Sequence, residues 1–218
     1  MIEAVVFDMD GVIIDSEPVW QQVRVDLIEG HGGVWTARDG DDTRGRSSEV
    51  WSTRVSERLG GVLTPEQVFT EVLERMAASY RAQLPLFPGA VEAIERIAMS
   101  YTVAVASGSP SLLVNLVLEE SGLGGVTAAV GYGDEVAAGK PAPDIYLDVL
   151  SRLGVDPGRA VGVEDSESGL ESVQSAGMHS IALVSPGYQL SGEVLGRTAV
   201  QIASLDELTI PMIDQIAI

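Results

Sequence analysis

Short apolar runs separated by longer amphipathic stretches dominate the pattern of this chain. Residues 4–7, 102–106, 160–163 and 180–184 are apolar runs of strand length, with a weaker one at 126–130. Near-continuous apolar runs of that length mark strands buried on both faces of a parallel sheet. Helical patterns fill the intervals. Ser109-Pro110 has the form of an N-cap and first helical position, opening a helix to about Ser121 that Gly122 closes. Pro143 opens another that runs to Arg152 before Gly154, and Ser166 or Ser168 begins a third that stops at Gly177. This alternation predicts an α/β fold, a doubly wound parallel sheet.

Residues 16–84 break the alternation. Helices are expected over 18–29, 47–59 and 65–83, with no strand-like run between them. Thr64, Pro65 and Gln67 form a capping-box pattern for the last. The segment 38–47 reads as a loop entering the second helix. The pattern predicts a helical cap, residues 16–84, inserted into a core of residues 1–15 and 85–218 through hinges near Asp15–Ser16 and at 84–89.

Composition narrows the classes. With 218 residues, 45% of them hydrophobic, there is ample material for a core. The absence of cysteine excludes disulfides, thiolate ligands and a cysteine nucleophile. No stretch approaches the roughly 20 apolar residues that span a bilayer, and the first residues lack the layout of a signal peptide. A cytoplasmic monomer without membrane contacts is expected. The formal charge of −19 argues against nucleic acid as a partner. Any bound anion must be held by local donors, because salt screens longer-range fields beyond about 8–10 Å.

The chemistry begins where the first apolar run stops, at Asp8-Met9-Asp10-Gly11. Open α/β sheets bind ligands at the carboxyl ends of their strands. Two carboxylates this close repel each other, by roughly 4 kcal/mol at 4 Å near a surface, so a cation belongs beside them. Alone, the four residues equally suit a solvated turn. Further pieces follow in order: Ser107-Gly108-Ser109 after the second run, Gly139-Lys140-Pro141 with the chain's only lysine among twelve arginines, and Glu164-Asp165 after the run at 160–163. Ser107 with the amides of Gly108 and Ser109 forms a strand-to-helix turn able to accept a phosphate. Glu164 and Asp165 also fit a plain helix N-terminus with dipole-friendly acids.

Together the four segments resemble the signature motifs of the haloacid dehalogenase superfamily, in the branch of β-phosphoglucomutase and small sugar-phosphate phosphatases. The resemblance spans residues 3 to 184. It implies that Asp8 attacks phosphorus to give an aspartyl-phosphate, that Asp10 is the general acid and base, and that Lys140 holds a phosphoryl oxygen while offsetting Asp8. It implies Mg²⁺ on Asp8, Asp10 (through its carbonyl), Asp165 and Glu164, the last as ligand or neighbour. Met9, Gly11, Gly108 and Ser109 are candidate phosphate-binding positions. Arg44 and Arg46, in the cap segment matching the loop that faces the active site in relatives, could meet the substrate or be surface charges. Trp20 closes the site or packs the cap, and His31 and His179 match no motif.

The function implied is a Mg²⁺-dependent phosphatase acting on a small phosphate ester, a sugar or polyol phosphate. A β-phosphoglucomutase is the alternative; its cap hinge carries a histidine, whereas Asp15-Ser16-Glu17-Pro18 here looks more like the hexose-phosphate phosphatases. A third reading is a non-catalytic binding protein on the same fold.

Overall fold

In a computed structural model, residues 1–43, 48–184 and 190–216 are described. Along them β1 (Ala4–Phe7) is followed by four helices, α1 (Glu17–Gly30), α2 (Ala37–Thr43), α3 (Ser48–Arg58) and α4 (Pro65–Ala82). Alternation then sets in with α5 (Ala90–Ala98), β2 (Thr102–Ser107), α6 (Ser111–Glu120), β3 (Thr127–Tyr132), α7 (Asp144–Leu153) and β4 (Ala160–Glu164). The chain ends with α8 (Glu167–Ser175), β5 (His179–Leu183), a short α9 (Gly192–Leu195), β6 (Val200–Ile202) and α10 (Ile210–Asp214). Contacts divide it into two compact units, Met1–Asp15 with Pro85–Ile218, and Ser16–Leu84. No helix among the described residues is long and apolar enough to cross a membrane.

In the α/β unit the strands lie in the order β3-β2-β1-β4-β5-β6, and each pairing is parallel. The chain leaves β1 towards β2 and β3, then returns to lay β4 on the other side of β1. That reversal opens a crevice beyond the carboxyl ends of β1 and β4, where such sheets bind ligands. Register decides what meets there. Phe7 pairs with Val105 on one side and Val163 on the other, so Asp8 emerges between Ala106 and Glu164. Ala4, Val6, Ala104 and Ala106 pack with Ile145, Tyr146, Val149 and Leu150 of α7 in one buried cluster. Small strand residues under a large helix face let α7 lie close to the sheet and bring Tyr146 deep into the unit.

Three local expectations are corrected. Helix α6 starts at Ser111 with Pro110 at the cap, rather than at Pro110 after a Ser109 cap. The Asp134 carboxylate takes the Ser111 amide at 3.1 Å, which frees Ser109 for a different partner. The strand β6 was not expected, since three residues are too few to stand out as a run. The segment after Thr36 is helical through Thr43 instead of a loop. There Thr36 and Asp39 cap each other reciprocally: the Asp39 amide meets Thr36 Oγ1 at 3.4 Å and the Thr36 amide meets Asp39 Oδ2 at 3.0 Å.

Within the helical unit, Asp39 is fully buried against Arg58, 2.5 Å away, with Arg54 at 3.4 Å. Burial pushes its carboxyl up, but hydrogen bonds from Thr36 and Arg58 outweigh burial and hold it below the ordinary value. Trp20 meets Trp51 edge to face at 5.7 Å, and Trp51 stacks on Phe69 at 5.8 Å. Trp20 therefore packs the inside of this unit. At α4 the Thr64–Gln67 capping box is formed in both directions.

Candidate active site

The turn after β1 is built by hydrogen bonds before any side chain acts. The Asp8 amide still belongs to the sheet, donating to the Val163 carbonyl at 3.0 Å. The Met9 carbonyl then accepts from Ile13 at 2.8 Å and Ile14 at 3.1 Å, and the Gly11 amide donates to Ile14 at 2.8 Å. Met9 buries its side chain beneath this turn. Gly11 has φ +85°, and a β-carbon there would lie 2.0 Å from Asp165 Oδ2. Glycine favours the left-handed backbone and leaves room for the approach of Asp165.

Lys140 reaches the turn from a loop that closes on itself and is anchored to α8. The Ala142 amide donates to the Gly139 carbonyl at 3.0 Å, and Ser172 Oγ on α8 donates to the Ala142 carbonyl at 2.6 Å. Lys140 Nζ then donates to Asp8 Oδ1 at 2.5 Å, to Glu164 Oε1 at 2.6 Å and to the Ala106 carbonyl at 3.1 Å. Burial pulls the ammonium down, but the carboxylates of Asp8 and Glu164 outweigh it and hold Lys140 above the ordinary lysine value. The balance at Asp8 goes the other way. Burial and the Glu164 charge push its carboxyl well above the ordinary range despite Lys140. One ammonium is shared among too many acids to satisfy them all.

Asp10 points elsewhere. Its Oδ2 accepts from Ser109 Oγ at 2.8 Å and from Ser107 Oγ at 3.0 Å, while the Ser109 amide donates to Ser107 Oγ at 3.1 Å. Two hydroxyls from the end of β2 thus hold one carboxylate oxygen of the β1 turn. Gly108 between them is exposed, and nothing within 4 Å occupies the place of a β-carbon.

Asp8, Glu164 and Asp165 are all buried, with carboxylate oxygens within 4.8 Å of one another. Burial and the Glu164 charge push Asp165 up to about 7. An all-oxygen donor set in which Asp8 and Asp165 resist ionisation fits a hard divalent cation, which would replace their protons. The Asp10 carboxylate is not in that set, being turned to the serines. Arg44 and Arg46 lie outside the described residues. Among the described residues His31 and His179 meet main-chain carbonyls, of Leu27 and Gly158.

Two residues escaped the sequence reading. Tyr146 donates to Glu164 Oε1 at 2.7 Å, and Ser166 Oγ donates to Glu164 Oε2 at 3.2 Å while capping α8. Tyr146 gave no signal because an aromatic on the apolar face of a helix is ordinary core. Ser166 was visible only as a cap.

Comparison with known proteins finds relatives along nearly the whole chain. The chain is 32% identical over 211 residues to hexitol phosphatase B of Escherichia coli (strain K12), covering 95% of each chain. It is 33% identical over 181 residues to a phosphorylated carbohydrates phosphatase of Thermotoga maritima, covering 83% of this chain and 84% of the relative. Among solved structures, CbbY from Rhodobacter sphaeroides in complex with phosphate superposes with a TM-score of 0.83 at 26% identity, covering 98% of this chain and 100% of that one. The family description haloacid dehalogenase-like hydrolase matches residues 2–177, most of the chain, and the chain belongs to that family.

Proposed function

We propose that the protein is a Mg²⁺-dependent phosphatase that hydrolyses a small phosphorylated sugar or polyol through an aspartyl-phosphate on Asp8. The observation that carries this reading is the contact of Asp8 with Lys140 at the switch point of the sheet, with Asp10 held by two serines one turn away. Its relatives named as hexitol and carbohydrate phosphatases support the substrate class.

In the first half-reaction an Asp8 carboxylate oxygen attacks phosphorus, the phosphorus–oxygen ester bond breaks, and the leaving alkoxide takes a proton from the Asp10 carboxyl. In the second, water attacks the aspartyl-phosphate, the Asp10 carboxylate takes its proton, and phosphate leaves with Asp8 restored. Lys140 holds a phosphoryl oxygen and offsets the approach of one anion to another. The exposed Gly108 amide is open to another phosphoryl oxygen, and Ser107 and the Ser109 amide would join it by exchanging their present partners, Asp10 and Ser107 Oγ, for that oxygen. Asp8, Asp165 and the Asp10 carbonyl, with Glu164 as ligand or neighbour, would hold Mg²⁺, which would supply the remaining positive charge.

A phosphate-release screen over hexitol, hexose and pentose phosphates tests the reading. Release with Mg²⁺ and none in EDTA is expected. Conversion of glucose-1-phosphate to glucose-6-phosphate without release would instead establish the mutase alternative.

A further inference from the structure

Glu164 is the most enclosed charge in the site, with no exposed surface. Its Oε1 accepts from Lys140 at 2.6 Å and from Tyr146 at 2.7 Å. Its Oε2 accepts from Ser166 at 3.2 Å. The main chain of α8 closes another side, since a β-carbon on Gly169 would lie 2.0 Å from the Glu164 carboxyl carbon. The carboxylate cannot turn without giving up one of these neighbours.

An ammonium is a compact charge with three donors and no directional fork, so its acceptors decide where it sits. Lys140 divides its donors among Asp8, Glu164 and Ala106. Of these, Ala106 is main chain and Asp8 must be free to react. Glu164 is left to set the position of the ammonium, and Tyr146 sets the position of Glu164. The Tyr146 ring adds to this, its centroid lying 5.2 Å from Lys140 Nζ. Tyr146 thus touches both partners.

Resting on the assignment of Asp8 as nucleophile, we propose that Tyr146 is a positioning residue: its hydroxyl shares the charge of Glu164 with Lys140 and keeps the ammonium on Asp8. Without that hydroxyl, Glu164 Oε1 has Lys140 as its one remaining donor among the described residues and draws the ammonium towards itself, away from the oxygen that attacks phosphorus. Glu164 correspondingly acts through Lys140, with both its oxygens held by side-chain donors.

Tyr146→Phe keeps the ring and its packing and removes the hydroxyl alone. On p-nitrophenyl phosphate with saturating Mg²⁺, kcat is expected to fall about tenfold with KM changed less than about twofold, because the ammonium is needed most where charge develops. The second readout needs no turnover. With [¹⁵N]lysine label the chain gives a single side-chain resonance, that of Lys140 Nζ. That signal should shift or broaden in Tyr146→Phe while the melting temperature stays near wild type. An unchanged kcat overturns the inference whatever the resonance does, and so does a fall in kcat with the resonance unmoved. If Tyr146→Phe does not fold, Glu164→Gln carries the same test, and an unmoved Lys140 resonance there also overturns it. A wild type that hydrolyses no phosphate ester would overturn the assignment of function instead, while the resonance would still judge the contact.

Discussion

Lys140 Nζ stands 2.5 Å from Asp8 Oδ1, although the two residues are 132 positions apart in the sequence. The twelve other basic side chains are arginines. At this position the shape of the cation matters as much as its charge. Three acceptors converge on a single nitrogen, and a planar guanidinium fork cannot stand at their common point.

Lys140→Arg should therefore lower kcat about 100-fold or more while the protein stays folded, as losing an electrostatic donor aimed at the transition state does elsewhere. Steady-state phosphate release with a melting curve checks it. A variant within twofold of wild type would show that charge alone suffices.

Asp8→Asn should reduce phosphate release by at least about 10⁴-fold, the scale on which a nucleophile's loss is felt. Its melting temperature without metal should hold or rise. Burial and Glu164 disfavour the charge on Asp8, and a neutral amide removes that cost. A marked fall in melting temperature would mean that the pair with Lys140 stabilises the fold after all.

The clamp on Asp10 separates positioning from proton transfer. Asp10→Asn should lower kcat by about 10²- to 10⁴-fold, and Ser109→Ala by several-fold. The double variant should be no slower than Asp10→Asn alone, because Ser109 is argued to orient that carboxylate. Additive losses would place Ser109 in a separate role.

Asp165 gives the metal-free protein a characteristic pH response. Its pKa is about 7 in the folded chain against an ordinary 3.8. Between those values the folded state binds more protons than the unfolded state, so stability falls as pH rises. The contribution is complete below about pH 4 and lost as pH passes about 7. In EDTA, melting temperature should decline between about pH 4 and 7 more steeply for wild type than for Asp165→Asn. Saturating Mg²⁺ should remove much of that decline. Parallel curves with and without metal would contradict a cation on this carboxylate.

The strands were legible where burial on both faces made them uniformly apolar, as in β1 and β4, and illegible where three residues at the sheet edge sufficed, as in β6. Asp8, Lys140, Glu164 and Asp165 stood out because charge at the end of an apolar run is conspicuous. Partners that look ordinary stayed hidden. Tyr146 lies on a helix face that any core would make aromatic, and Ser109 sits where a serine is expected to cap a helix. Each is diverted to a carboxylate by a tertiary contact, and single-sequence periodicity carries no information about such contacts. The helix from Ala37 was masked by Gly40 and its acidic neighbours, whose weak helix propensity is overridden by the Thr36–Asp39 cap.

Gly11 answers to two unrelated demands, the sign of a backbone angle and the nearness of a carboxylate. Asparagine and aspartate, which enter the left-handed region most readily after glycine, meet the first demand and fail the second. A randomised codon at this position should therefore return two different lists. Selection for a folded chain would accept glycine and those two, whereas selection for turnover would keep glycine alone. The difference between the lists measures how closely the first turn of the chain is fitted to an acid that the sequence supplies more than 150 residues later.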